Sequence, residues 1–260
     1  MRFPYWVMAL ASLCLGQESF AQSPFLRSTD KHTLTPEAVI GERKRWGADL
    51  SFGGGFNRGN VTINSLNGSF DLFKSWELSS AYLSGSFIYS TFQDRRTLNL
   101  GAVTVRADRR IAGPWKLFAF NTQAYNDFLR LDYRTTTGAG PWYDLAVGET
   151  RHGLSAALVH EYQRFFFGTV QRTARFSFRA MSRWPISPLA ELTSDLFYVP
   201  RLDRISDYRA DIEIGLETRI WRDNLGLKVS WLNEYENRPQ PDVKHNDVFW
   251  LTSLTCHFGR

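Results

Sequence analysis

Between Ser206 and Trp221 the chain alternates with a period of two, and no other stretch limits the fold so sharply. Tyr208, Ala210, Ile212, Ile214, Leu216, Thr218 and Ile220 form one set, almost wholly apolar. Arg209, Asp211, Glu213, Gly215, Glu217 and Arg219 form the other, charged apart from the glycine. A strand sends successive side chains to opposite faces, so this segment has one apolar and one ionic wall; a period of 3.6 would scatter both sets around a helix. About 13 residues at about 3.3 Å each, tilted by about 40°, rise about 30 Å, the depth of a bilayer's hydrocarbon core.

Other segments repeat the pattern. Ala174, Phe176, Phe178 and Ala180 alternate with Arg175, Ser177, Arg179 and Arg183, and Leu129, Leu131 and Tyr133 with Arg130, Asp132 and Arg134. Leu192, Leu196 and Tyr198 oppose Glu191, Thr193 and Asp195. Val103, Val105 and Ala107 oppose Thr104, Arg106, Asp108 and Arg110, although Leu98 and Leu100 fall on the polar register. An arginine facing lipid near the midplane costs about 2–4 kcal/mol, so the charged sets are expected to face inward. The expected lumen lining is Arg106, Asp108, Arg110, Arg130, Asp132, Arg134, Arg175, Arg179, Glu191, Asp195, Arg209, Asp211, Glu213, Glu217 and Arg219.

Turn-rich breaks divide the chain into strands expected at 47–55, 61–73, 77–91, 98–111, 117–125, 128–140, 153–164, 173–183, 189–198, 206–221, 225–236 and 247–258. The sixth and seventh are separated by a reversal over 141–151, and the eighth is broken by the two prolines of 184–188. An even count leaves both termini on one side, as in bacterial outer-membrane barrels. The fold expected is all-β, a transmembrane antiparallel up-and-down barrel of about 12 strands, occupying residues 46–260 as one domain. Trp46, Trp76, Trp115, Trp142, Trp184 and Trp221 fall at alternate reversals, one per two-strand unit, and so are expected to form an aromatic girdle at the periplasmic boundary.

The first 21 residues read as a secretory signal: Arg2, an apolar stretch from Phe3 to Leu15, and a small-x-small site at Ser19-Phe20-Ala21. Residues 22–45, polar and carrying Pro24 and Pro36, read as a periplasmic lead-in. Cleavage would leave Cys256 as the one cysteine and no internal disulfide. No apolar run reaches the roughly 20 residues of a spanning helix. The net charge of +5 comes from arginines interleaved with acids, which argues against a nucleic-acid partner.

Side-chain chemistry is sparse. His32, His152, His160, His245 and His257 show no metal-ligand spacing, no cofactor motif is present, and Gly53-Gly54-Gly55 lacks the ending of a phosphate loop. A lipid hydrolase would need serine and histidine together on the lipid face. His160 and Ser155 have opposite parity, so such a site would have to be assembled between strands. The charged ladder therefore carries the functional reading, in two forms: a water-filled pore selecting by sign, with the arginine excess favouring anions, or a self-neutralising network that fills the lumen.

Short motifs add a resemblance. Gly59-Asn60-Val61-Thr62, Asp132-Tyr133-Arg134 with Gly138-Ala139-Gly140, and the segment Asn233 to Asn246 with Tyr235, Arg238, Pro239, Pro241 and Lys244 ahead of Thr252-Ser253-Leu254 are similar to the motif order of the YdiY-like family of salt-induced outer-membrane proteins. The resemblance covers about Trp46 to Phe258. It departs at Val61, where threonine is usual, and at the His257-Phe258-Gly259-Arg260 ending, where a terminal aromatic is usual. It implies an outer-membrane barrel, inserted by the barrel-insertion machinery among lipid and lipopolysaccharide, and its label alone implies an envelope-integrity role under osmotic stress; the charged ladder supplies the other reading, a small passive channel for ions or solutes. Alternative readings are an outer-membrane lipid-modifying enzyme and a periplasmic ligand-binding β-barrel.

Overall fold

The computed structural model describes residues 46–57, 63–93, 95–127, 130–221, 225–239 and 244–258, so the expected signal and lead-in lie outside the described residues. Twelve strands follow one another: β1 (Trp46–Asn57), β2 (Ile63–Ser75), β3 (Ser79–Phe92), β4 (Arg95–Ala112), β5 (Trp115–Asn126), β6 (Leu131–Val147), β7 (Thr150–Phe165), β8 (Val170–Ser187), β9 (Ala190–Pro200), β10 (Tyr208–Trp221), β11 (Leu225–Glu236) and β12 (Asn246–Phe258). Each pairs antiparallel with its neighbours in sequence, and β1 pairs with β12, closing the barrel. Closure removes both sheet edges, so backbone groups find partners without water.

Two expected breaks are strand instead. β6 continues through Pro141 to Val147, and the reversal narrows to Gly148-Glu149, with Gly148 at φ +59°. Pairing with β7 steps from Ala139–Leu158 to Trp142–Ser155, so the proline falls where the ladder to that side is interrupted. β8 runs to Ser187, with Pro185 beside a register shift, the kind of place where a strand accepts proline.

The two faces separate by polarity. Val103, Val105, Leu117, Leu154, Leu158, Phe176, Phe178, Ile214 and Leu216 are all exposed on the outside. Outward charge gathers at the strand ends: Arg109 and Lys74 near the termini, and Asp132, Arg164 and Arg172 at the distal end. β4, β6, β7 and β8 have 16 to 18 residues. At about 3.3 Å per residue and a tilt of about 40° they outreach a hydrocarbon core of about 30 Å. A polar network on the outer face of β5 and β6, where Asn121 bonds Thr137 (2.8 Å) and Thr135 bonds Gln123 (2.7 Å), occupies the distal part of that wall.

The packed core lies inside the barrel. Leu100, the residue that breaks the polar register of β4, is fully buried in an inward cluster with Ile88, Ala102 and Ala124. That break in alternation is therefore an apolar filling of the distal lumen.

Candidate functional site: the charged lumen

Inward-facing side chains form three clusters. The first is built on Glu161 of β7, whose carboxylate is wholly buried. Its Oε2 accepts from Arg175 Nε (3.1 Å), Gln163 Nε2 (3.0 Å) and Thr173 Oγ1 (3.2 Å), and its Oε1 accepts from Arg209 Nη2. Arg134 donates to Gln163 (3.2 Å), and Arg175 goes on to the Val199 carbonyl (3.2 Å) and Asp207 (3.4 Å). Three strands thus converge on one carboxylate, and β6 is tied to it through Gln163. A buried charge is tolerated only when paired and hydrogen-bonded in this way.

The second cluster stacks arginine on aromatic rings. Arg106 donates Nε to Asp108 (2.8 Å), and its guanidinium lies 4.1 Å from the Phe118 ring and 5.1 Å from Trp142. Arg179 binds both oxygens of Asp195 (2.9 and 2.5 Å) and lies 4.8 Å from Phe197 and 5.8 Å from Trp142. Trp142 sits between the two cations and donates Nε1 to Asp144 (2.6 Å), which also holds Lys116 (2.6 Å). Rings facing cations gain from the aromatic quadrupole, more so once water is excluded. The result is a packed wall across β4 to β9.

The third cluster lies on β10, β11, β12, β1 and β2, towards the termini, and it is only half-buried. His257 bridges Asp49 through Nδ1 (2.7 Å) and Glu217 through Nε2 (2.7 Å). Lys228 reaches Glu213 at 3.5 Å, and Asp71 stands directly opposite Asp49 across β1 and β2.

The expected lumen residues divide accordingly. Arg106, Asp108, Arg134, Arg175, Arg179, Arg209 and Asp211 are buried in the interior, while Glu191, Asp195, Glu213, Glu217 and Arg219 are half-buried on inward positions. Glu191 pairs with Arg183. Three expectations need correction. Arg130 occupies the turn between β5 and β6 at φ +53°, exposed, with its guanidinium 5.6 Å from the Phe167 ring. Asp132 sits at a register shift between Leu131 and Tyr133, which turns it to the outside to pair with Arg164 (2.7 Å). Arg110 is exposed at the terminus end of β4, beside a second shift.

The girdle also divides. Trp46, Trp76 and Trp115 are exposed at the terminus end, and Trp184 packs edge-on to His152 on the outer face. Trp221 ends β10, and its side chain lies outside the described residues. Trp142 is overturned as a girdle residue: it is fully buried inside the lumen. Room for it comes from Gly153 on the facing strand, where a Cβ would lie 2.0 Å from the indole. Its even parity with Arg134 and Gly138 was the available signal. The same rule of parity, applied to β1, β2, β7, β11 and β12, would have found Asp49, Asp71, Glu161, Lys228 and His257.

On the outer face the barrel does bring a histidine to a serine: His152 Nδ1 lies 2.8 Å from Ser182 Oγ, and its Nε2 lies 3.3 Å from Thr150 Oγ1. Thr150 donates to the Val147 carbonyl (2.6 Å), which can only accept. Among the described residues no group of His, Cys, Asp and Glu is arranged to hold a metal ion.

Residues 50–258 match the family described as "Protein of unknown function, DUF481". No match is found among the curated proteins. Solved structures similar to this chain include the NanC porin, at 10% identity over 82% of this chain and 97% of that one, with a TM-score of 0.47. The COG4313 outer membrane channel from Pseudomonas putida F1 has 10% identity over 91% and 99%, with a TM-score of 0.49. The translocator domain of the autotransporter NalP from Neisseria meningitidis has 12% identity over 84% and 88%, with a TM-score of 0.38.

Proposed function

The chain belongs to the DUF481 family of proteins of unknown function, and on that premise we propose that it is an outer-membrane barrel acting as a narrow, passive channel for ions and other small solutes. One observation carries the reading: inside a barrel whose outer face is apolar, a half-buried charged wall runs beside a packed one. An apolar exterior on a closed barrel suits lipid, and ionic side chains facing a lumen suit hydrated solutes. Outer-membrane lipid and lipopolysaccharide are the surroundings proposed for the exterior, with assembly by the barrel-insertion machinery. The motif order shared with the salt-induced type supports a link to osmotic conditions, and a rise in the protein's level after a shift to high salt would support it.

The test combines location with transport. The protein should fractionate with outer membranes and require detergent for release. Proteoliposomes containing it should admit salts and small sugars, and exclude oligosaccharides. Recovery in the soluble periplasmic fraction would end the channel reading and favour a ligand-binding barrel.

The lipid-modifying reading has its own observation in the contact between His152 and Ser182. Because the Val147 carbonyl accepts from Thr150, Thr150 accepts from His152 Nε2, which leaves Nδ1 as a base towards the serine hydroxyl. Fatty-acid release from phosphatidylethanolamine vesicles that is lost in Ser182→Ala would favour this reading; release that is absent or insensitive to Ser182→Ala would remove it.

A further inference from the structure

The lumen's positive and negative charges are not equally placed, and the difference bears on which solutes can pass. Five inward arginines, Arg106, Arg134, Arg175, Arg179 and Arg209, are withdrawn into the packed half. Arg106 and Arg179 lie against aromatic rings and hold Asp108 and Asp195, while Arg175 and Arg209 are spent on Glu161. Their side chains are 1 to 5% exposed. The half that water reaches is different. Glu217 is 26% and Glu213 18% exposed at the side chain, and Asp49 and Asp71 are half-buried beside them.

We propose that the permeant path follows the β10–β11–β12–β1–β2 wall and that this wall selects small cations over anions. The inference rests on the channel reading above and names the class of solute it would take. Lys228 and His257 face the four carboxylates; Arg183, 20% exposed, is held by Glu191, and Arg219 lies further towards the terminus end. Both nitrogens of His257 lie 2.7 Å from carboxylate oxygens, which only accept when ionised, so the ring is held as a doubly donating cation and is saturated by Asp49 and Glu217. Lys228 approaches Glu213 no closer than 3.5 Å.

Asp71 makes no hydrogen bond or salt bridge among the described residues and faces Asp49 across the strand pair. Like charges directly opposite each other repel, and a passing cation relieves that repulsion while an anion adds to it. Walls of one sign in a low-dielectric passage concentrate the opposite ion. The whole-chain charge of +5 therefore gives the wrong sign for the path, because burial hides most of the lumen's positive charge. The arginine excess read as favouring anions belongs to the packing.

The experiment is a reversal-potential measurement on the full chain, purified from membranes, in bilayers of neutral phosphatidylcholine under a gradient of potassium chloride. The expected potassium-to-chloride permeability ratio is above one. It should fall towards one in Asp71→Asn with Glu213→Gln, and below one in Asp71→Lys with Glu213→Lys. Arg164→Gln, on the outer face, should leave it unchanged. Channel steps with a ratio below one in the unaltered protein, or a ratio that ignores both Asp71 and Glu213, would overturn the cation path while leaving a channel. A protein that inserts and stays electrically silent would overturn the channel reading itself, and this inference with it.

Discussion

Glu161 shows what a single residue contributes here. It pairs with arginines brought from two other strands, and neither of these can turn to water. Replacing it with leucine leaves Arg175 and Arg209 without their shared acceptor, and Arg134 without the negative charge beside it. Breaking a buried pair from one side costs about 3–5 kcal/mol. The expected outcome for Glu161→Leu is a loss of that order in the urea unfolding of the lipid-reconstituted barrel; a loss within about 1 kcal/mol would contradict the hub. Parity in β7 places Glu161 inward together with Gln163 and Phe165, so its direction was legible. Its partners were not, because period two fixes the face of a residue and says nothing about which distant strand supplies the neighbour.

At the scale of strands, turn-rich breaks located all twelve, and alternation gave β8 and β10 their apolar and ionic sides. It failed where the ladder itself is irregular. The shift at Leu131/Tyr133 turns Asp132 outward, and the proline sites of β6 and β8 looked like breaks when they are tolerated interruptions. Trp142 failed for another reason: its position near a reversal suggested a boundary residue, while the space that admits it belongs to Gly153 on β7. Leu216→Arg puts a cation on the lipid side of β10 and should cost about 2–4 kcal/mol in the same unfolding measurement, whereas Thr193→Ser on the inward side of β9 should stay within about 0.5 kcal/mol. Gly153→Val fills the space occupied by the indole. It should expose Trp142 to a polar environment, seen as a red shift of its fluorescence in a variant retaining only that tryptophan; an unshifted spectrum would mean the indole does not lie over Gly153.

The whole molecule is a barrel with two unequal halves. One half is filled by stacked arginines and rings, and the other keeps half-buried charge along its wall. Composition predicted neither half, since arginine, glutamate and tryptophan counts are the same whether a lumen is open or packed. What the chain as a whole made legible was closure: an even number of two-faced strands, each long enough for a bilayer, leaves a sheet few other ways to satisfy its edges. The most direct test of a lumen narrowed on one side by Trp142 and its two arginines is single-channel conductance, comparing the unaltered protein with Trp142→Ala. The expected result is steady small steps in the first and larger steps in the second, at a stability cost of about 3–5 kcal/mol that a reconstituted barrel can be checked to survive. Equal steps in the two proteins would contradict the packed half as the constriction, and silence in both folded barrels would contradict the passage altogether.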